Sequence, residues 1–193
     1  QELGRLYYTK EDCCQFQQAV KLHVLPLVEK IYEKKKQKLG LNTLRPWDTE
    51  AEPAGVNPLH PFETGRELLQ KTEKCFEEMN PFFASCLRKM DEMKHFDLES
   101  RVGKAPGGYN CPLAESGAPF IFMNAAGQMH DVPTMVNEGG HAVHSFLSHL
   151  LVLSPFIDYP VEIAYVNSMD MALVSQTQSQ IFVVNSETLF RAN

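Results

Sequence analysis

Asn137-Glu138-Gly139-Gly140-His141 is the stretch on which the reading of this chain turns. It differs by one residue from H-E-x-x-H, in which two histidines four positions apart lie on one face of a helix and grip a zinc ion. The glutamate of that motif acts as general base toward a zinc-bound water. Asn, Glu and His are all common on helices, so these five residues carry little weight alone and their neighbours must decide.

Working outward, Asp131 is a good N-cap and Pro133 is tolerated in a first turn, which predicts a helix from about 131 to about 149. Upstream, Pro119-Phe120-Ile121-Phe122-Met123-Asn124 reads as a short β run between Gly117 and Ala125-Ala126-Gly127, and Lys104 to Tyr109 reads as turn-rich. Downstream, a helix is predicted over about 162–174, with Ile163, Met169, Met171 and Leu173 as core. Between those helices lie Leu150-Leu151-Val152-Leu153 and, after Ser154, Pro155-Phe156-Ile157. So apolar a connection is unusual on a surface, and it reads as a candidate interface for self-association or a protein partner. His144 is expected to be a hydrogen-bonded core or boundary residue, in preference to a ligand of a new metal site with Glu138 or His149. His130 reads as a loop histidine.

The first half carries helical punctuation. Thr9 and Asp12 form a capping pair opening a helix that should run to Gly40, with Pro26 kinking it. Prolines 46, 53, 58 and 61 mark a long irregular connection. Thr64 and Glu67 open a second helix to about Met79, and a third follows Asn80-Pro81 as far as about Lys94. The fold class is therefore mainly α with a small β element. The 193 residues are read as a single domain or sub-domain, with a helical half at 1–100 and a motif-bearing half at 101–193.

Composition narrows the function classes. Hydrophobic content of 44% and charged content of 22% are ordinary for a globular chain. A net charge of −6 excludes a broad nucleic-acid footprint, and the basic run Lys34-Lys35-Lys36 reads as a solvated helix end. The five cysteines are odd in number and form no C-x-x-C pair, which points to reduced thiols and a cytoplasmic setting. The polar start Gln1-Glu2-Leu3 gives no sign of a signal peptide, and the missing initiator Met implies a fragment. No stretch is long and apolar enough to span a bilayer.

Set in this context, Phe120 to Asn124, Asp131-Val132 and Glu138-Gly139-Gly140-His141-Ala142-Val143-His144-Ser145-Phe146 resemble the catalytic segment of the M3 zinc peptidases, and most of all the oligoendopeptidase F branch. The Leu44-Arg45-Pro46-Trp47-Asp48 turn, the Gly107-Gly108-Tyr109 turn and Tyr159-Pro160-Val161-Glu162-Ile163-Ala164, followed by Val166, Ser168-Met169 and Met171, share the likeness. The resemblance implies a zincin-like helical catalytic sub-domain and a zinc-dependent metalloendopeptidase ancestry.

The departures decide what the resemblance implies for function. The family pattern has histidine where this chain has Asn137, and the third zinc ligand, a glutamate, where it has Tyr165, with His141 the ligand retained. A further glutamate of the pattern is matched by Ala172. An amide oxygen is a poor zinc ligand, and a phenol of pKa ~10 must lose its proton before it binds well. Catalytic zinc takes about three protein ligands and an open position. No metal or other cofactor is therefore expected here, zinc being the cofactor of the parent family, and Glu138 keeps the general-base position with nothing to activate. The family's transition-state-stabilising Tyr and His are expected beyond Asn193. Asn137, His141 and Tyr165 are expected to form a small polar network. Because the ligand positions are altered while Gly139-Gly140 survives, the pattern reads as repurposing, whether by engineering or by natural drift. Two functions follow: a metal-free, inactive scaffold serving as a binding or interaction module, or a hydrolase of short peptides working through an altered metal site.

Overall fold

The computed structural model describes residues 8–49, 51–56, 59–151 and 159–182. The chain divides into two compact units, Gln1–Pro58 and Leu59–Asn193. The boundary falls in the proline-rich connection.

In the first unit, α1 (Lys10–Ala19) opens with Thr9 Oγ1 accepting the Asp12 N–H while the Asp12 carboxylate accepts the Thr9 N–H, which is the predicted capping box. The helix does not simply kink. Val20–Val24 widens into a π turn before α2 (Leu25–Leu39). Pro26 has no N–H to return to the preceding turn and its ring crowds the carbonyl four residues back, and the wider turn relieves both. Gly40 ends α2 at φ 66°, the left-handed conformation expected of its cap.

The second unit carries the site. Its α3 (Gly65–Met79) and α4 (Pro81–Glu92) are amphipathic, and they pack against each other through Leu68, Leu69, Phe76, Leu87 and Met90. The Glu67 side chain caps one residue further out than expected, accepting from Glu63 N–H, while Thr64 accepts from Glu67 N–H. Then come β1 (Phe96–Glu99), β2 (Gly108–Cys111) and β3 (Phe120–Ala125), in the order β1-β3-β2. β1 runs parallel to β3 and β2 antiparallel to it. Only β3 is legible as a strand in the sequence. β2 had read as part of a turn, and β1 follows closely on the third helix; both are four residues long and held by pairing to β3. β3 alternates, burying Ile121, Met123 and Ala125. Lys104 fastens the β1–β2 connection: its buried ammonium donates to the Asp97 carboxylate and to the carbonyls of Asp97 and Glu99, and lies 4.7 Å from the Phe122 ring centroid.

Helix α5 (Asp131–His149) packs against the sheet, α3 and α4, and α6 (Val161–Ser175) packs on α5. Asp131 is the first helical residue and not the cap. Its carboxylate accepts from Ala126 and Gln128 N–H, tying the β3–α5 loop to the helix it precedes. Helices dominate and the β element is small, as expected. No helix among the described residues is long and apolar enough to cross a membrane.

One expectation about the core fails. Met171 is buried, but Ile163, Met169 and Leu173 are 49%, 60% and 62% exposed. α6 meets α5 through Ala164, Ser168, Met171 and Ser175, a mostly small stripe at helical spacing, so its larger residues point away.

Candidate functional site

The paired glycines explain how the site is built. A Cβ at Gly139 would stand 2.8 Å from Phe76 Cζ of α3. One at Gly140 would stand 2.9 Å from Met171 Cβ and 3.0 Å from Ser168 Cα of α6. Only residues without side chains let α5 lie this close to both neighbours. The preservation of Gly139-Gly140 is thus a packing requirement, whatever the chemistry beside it.

Asn137, Glu138 and His141 of α5 open into a pocket of about 300 Å³. Gly108, Tyr109 and Asn110 of β2 line it from another side, with Pro112, Tyr159 and then Val161, Ala164 and Tyr165 of α6. The four residues singled out in the sequence around the motif therefore share one site. The expected polar network does not form: among the described residues no hydrogen bond joins Asn137, His141 and Tyr165. The His141 and Tyr165 rings instead meet edge-on, centroids 6.1 Å apart. Asn137 also reaches a neighbouring groove with His130, Met169, Ala172 and Leu173.

Glu138 is 7% exposed and has no cationic partner among the described residues. Burial pushes its carboxyl up to about 7, against the backbone N–H of Asn110, which favours the ionised form. The Asn110 side-chain amide donates to the Glu138 backbone carbonyl at 3.3 Å, fixing β2 to α5 beside the carboxyl. Burial pushes the His141 imidazolium down, and the His144 charge adds to this; burial pushes His144 down as well.

His144 is not the hydrogen-bonded histidine expected. Its ring lies against Tyr159 with centroids 4.0 Å apart, and its buried Nδ1 has no hydrogen-bond partner among the described residues, nor has Ser145 Oγ. His149 is exposed and abuts Gly117. Leu150 and Leu151 are 72% and 45% exposed, whereas Val152, Leu153, Phe156 and Ile157 of the proposed interface lie outside the described residues. Tyr109, Asn110 and Tyr159 were not singled out as site residues. They lie about 20–30 residues from the motif in sequence, and nothing in local pattern announces a long-range β2–α5 contact.

The donor set can be tested against the metal that the resemblance implies. Around the pocket stand two amides (Asn110 and Asn137), one imidazole, three phenols and one carboxyl. No group of three or more His, Cys, Asp or Glu among the described residues is placed to hold a metal ion. A catalytic zinc ion wants three such ligands, so the residues present do not fit it.

Comparisons with known proteins agree on the ancestry. The sequence profile of Peptidase family M3 matches residues 3–191. The oligoendopeptidase F homolog of Lactococcus lactis subsp. lactis is 25% identical over 144 residues, covering 75% of this chain and 23% of that protein. Oligopeptidase PepF of Bacillus subtilis is 32% identical over 90 residues, 45% of this chain and 13% of its own length. Among solved structures, PZ peptidase A with an inhibitor superposes with a TM-score of 0.89 at 27% identity, covering 99% of this chain and 34% of that one. The chain thus spans about a quarter of the length of the curated relatives it matches and a third of the solved one. With the family profile matched from residue 3 to residue 191 and the same fold in a solved relative, this chain belongs to peptidase family M3.

Proposed function

We propose that this part of an M3 peptidase works without a metal, as a non-hydrolytic module that binds a peptide or protein segment where its relatives would cut one. The donor set carries the reading. Asn137 and Tyr165 face the pocket beside His141, and an amide and an exposed phenol leave a single imidazole to compete with water for zinc. Without the ion nothing lowers the pKa of an attacking water, and Glu138 has no nucleophile to deprotonate. The binding surface survives this loss: β2 is an edge strand of the sheet and lines the pocket, a place where an extended peptide can add as a further strand. The exposed side chains of Leu150 and Leu151 support a second contact surface for a protein partner or another copy along 150–157. Five unbonded cysteines suit a reducing compartment such as the cytoplasm.

A hydrolase with an altered metal site is the alternative, and Glu138 is the observation in its favour. A carboxyl held near neutral pH in a pocket is what a general base needs. Elemental analysis with chelator competition separates the two readings. The expected result is no metal above background and no cleavage of a quenched fluorescent peptide, with zinc affinity restored in Asn137→His combined with Tyr165→Glu. A stoichiometric, tightly held metal in the unaltered chain overturns the reading.

A further inference from the structure

The pocket at Glu138 has a composition that points to one kind of ligand. Three tyrosines, Tyr109, Tyr159 and Tyr165, and His141 line the pocket together with Glu138, its one acidic residue, and no Lys or Arg lines it. Two of the tyrosine rings are held by ring neighbours: Tyr109 stacks on Phe122 with centroids 5.0 Å apart, and Tyr159 lies against His144 at 4.0 Å. Glu138 is more than nine-tenths buried and lacks a cationic partner among the described residues, an arrangement in which an incoming positive group would hold the carboxyl in its ionised form. From these observations we propose that the pocket binds a primary ammonium group, seated on the Glu138 carboxylate and walled by tyrosine rings.

Aromatic faces attract a cation through their quadrupole, and they do so best where water is excluded. A hydrogen bond between an ammonium and a carboxylate is of the strong, charge-assisted kind. A primary ammonium also has three N–H donors, and beyond Glu138 the pocket is lined by Asn137 and by three tyrosines, residue types that carry acceptor oxygens. That count favours –NH₃⁺ over a quaternary ammonium, which could use the rings but none of the acceptors. The group can arrive as the α-amine at the start of a peptide or as a lysine side chain. The neighbouring β2 edge then holds the extended chain that follows. In this form the inference rests on the peptide-binding reading above and names the chemical end by which the peptide is held.

The test uses the purified chain and calorimetric titration with three peptides: tetra-alanine with a free amine, its N-acetylated form, and an N-acetylated form carrying one lysine. Methylammonium and tetramethylammonium serve as small probes. The free-amine peptide is expected to bind at least about ten-fold more tightly than the acetylated one, and methylammonium more tightly than tetramethylammonium. Glu138→Gln and Tyr165→Leu should each reduce that preference by roughly five-fold. Tyr165 is 57% exposed, so its replacement leaves the fold intact and keeps the test valid should Glu138→Gln disturb packing. A lysine peptide that binds as well as the free amine supports the ammonium pocket and assigns its ligand to a side chain. Equal affinity for free and acetylated peptides without lysine overturns the inference and leaves the peptide-binding reading standing. So does a preference that both variants leave unchanged, since the ammonium then sits elsewhere. If no peptide and neither ammonium binds, both readings fall.

Discussion

Helices α5 and α6 lie side by side and are both rich in apolar residues, yet they are used in opposite ways. α5 buries ten of its nineteen residues, pressed between the sheet, α3 and α6. α6 buries only Ala164, Ser168, Met171 and Ser175 of its fifteen, and shows Val161, Ile163, Val166, Met169, Leu173 and Val174 to the outside. Hydrophobicity thus marks the core in one helix and an open surface in the other. What separates them is which residues are small. Gly139 and Gly140 let α5 sink into its neighbours, while on α6 the small residues form the contact stripe and turn the large ones out. The site stands on this seam: its buried half, Glu138, belongs to α5 and its open half, Tyr165, to α6.

Emptying the space beneath α5 should have the largest effect. Phe76 is wholly buried and touches the position where a Gly139 side chain would stand. Phe76→Ala should cost about 3–5 kcal/mol, seen as a lower denaturant midpoint with an unchanged slope. A loss under about 1 kcal/mol would mean that α5 is not packed as the structure has it.

The next effect is electrostatic and belongs to the same buried face. Burial raises the Glu138 carboxyl from its usual range to about 7 in the folded state. Between about pH 4.5 and pH 7 the folded chain therefore holds a proton that the unfolded chain has released, and stability falls as pH rises. Above pH 7 the loss is complete and constant, and below the unfolded-state value it is absent. Glu138→Gln removes the ionisation, so at pH 8 it should stabilise the chain by up to ~3 kcal/mol, an upper bound at about 1.4 kcal/mol per pH unit. The gain should vanish near pH 4. Comparing variant and parent at each pH cancels the histidines, whose depressed values act in the opposite sense below neutrality. A pH-independent difference would place the carboxyl in solvent. A buried carboxylate retained at such a cost is expected of a group kept for binding or catalysis and not for stability.

The seam itself is sharpened by Gly140→Ala. The added methyl meets Met171 Cβ and the Ser168 backbone, which can move only if α6 moves. We expect a loss of about 1–3 kcal/mol. Gly139→Ala meets the end of the Phe76 ring, a side chain with some freedom, and should cost less. Thermal melts of the two variants give the order, and the reverse order would show that α3 resists more than α6.

Much of this was legible in the residues, for reasons that are local. Thr9 with Asp12, Gly40, and Asn80-Pro81 each mark a helix end by chemistry within a few residues, and the structure puts helix ends there. The motif and its surroundings gave the family, and the helical spacing gave the shared face of Asn137 and His141. What could not be read depends on partners far along the chain. β1 and β2 are strands because β3 is beside them. Asp131 looks like a cap and is a loop clamp, because Ala126 and Gln128 turn their N–H groups toward it. Tyr109 reaches the pocket on β2 and Tyr159 from the segment just before α6, and no spacing rule connects them to Glu138. The outward face of α6 was misread as core because an all-round apolar helix carries no period to say which side is inside.

That outward face yields the smallest predicted effect, and a useful one. Val166 and Leu173 are 55% and 62% exposed, so replacing both with lysine removes little buried area. Stability should change by less than about 0.5 kcal/mol, the ordinary range for surface substitutions. Solution behaviour should change more. Large apolar side chains clustered on one helix face attract one another between molecules, and two charges at their centre oppose that. Sedimentation at rising concentration should show less self-association in the double variant than in the parent, at equal melting temperature. If the variant instead unfolds as readily as Phe76→Ala, the face is buried in solution and the contrast between the two helices disappears. If stability and association are both unchanged, the contrast holds but this face is not where copies of the chain meet, and Leu150 and Leu151 become the residues to charge next.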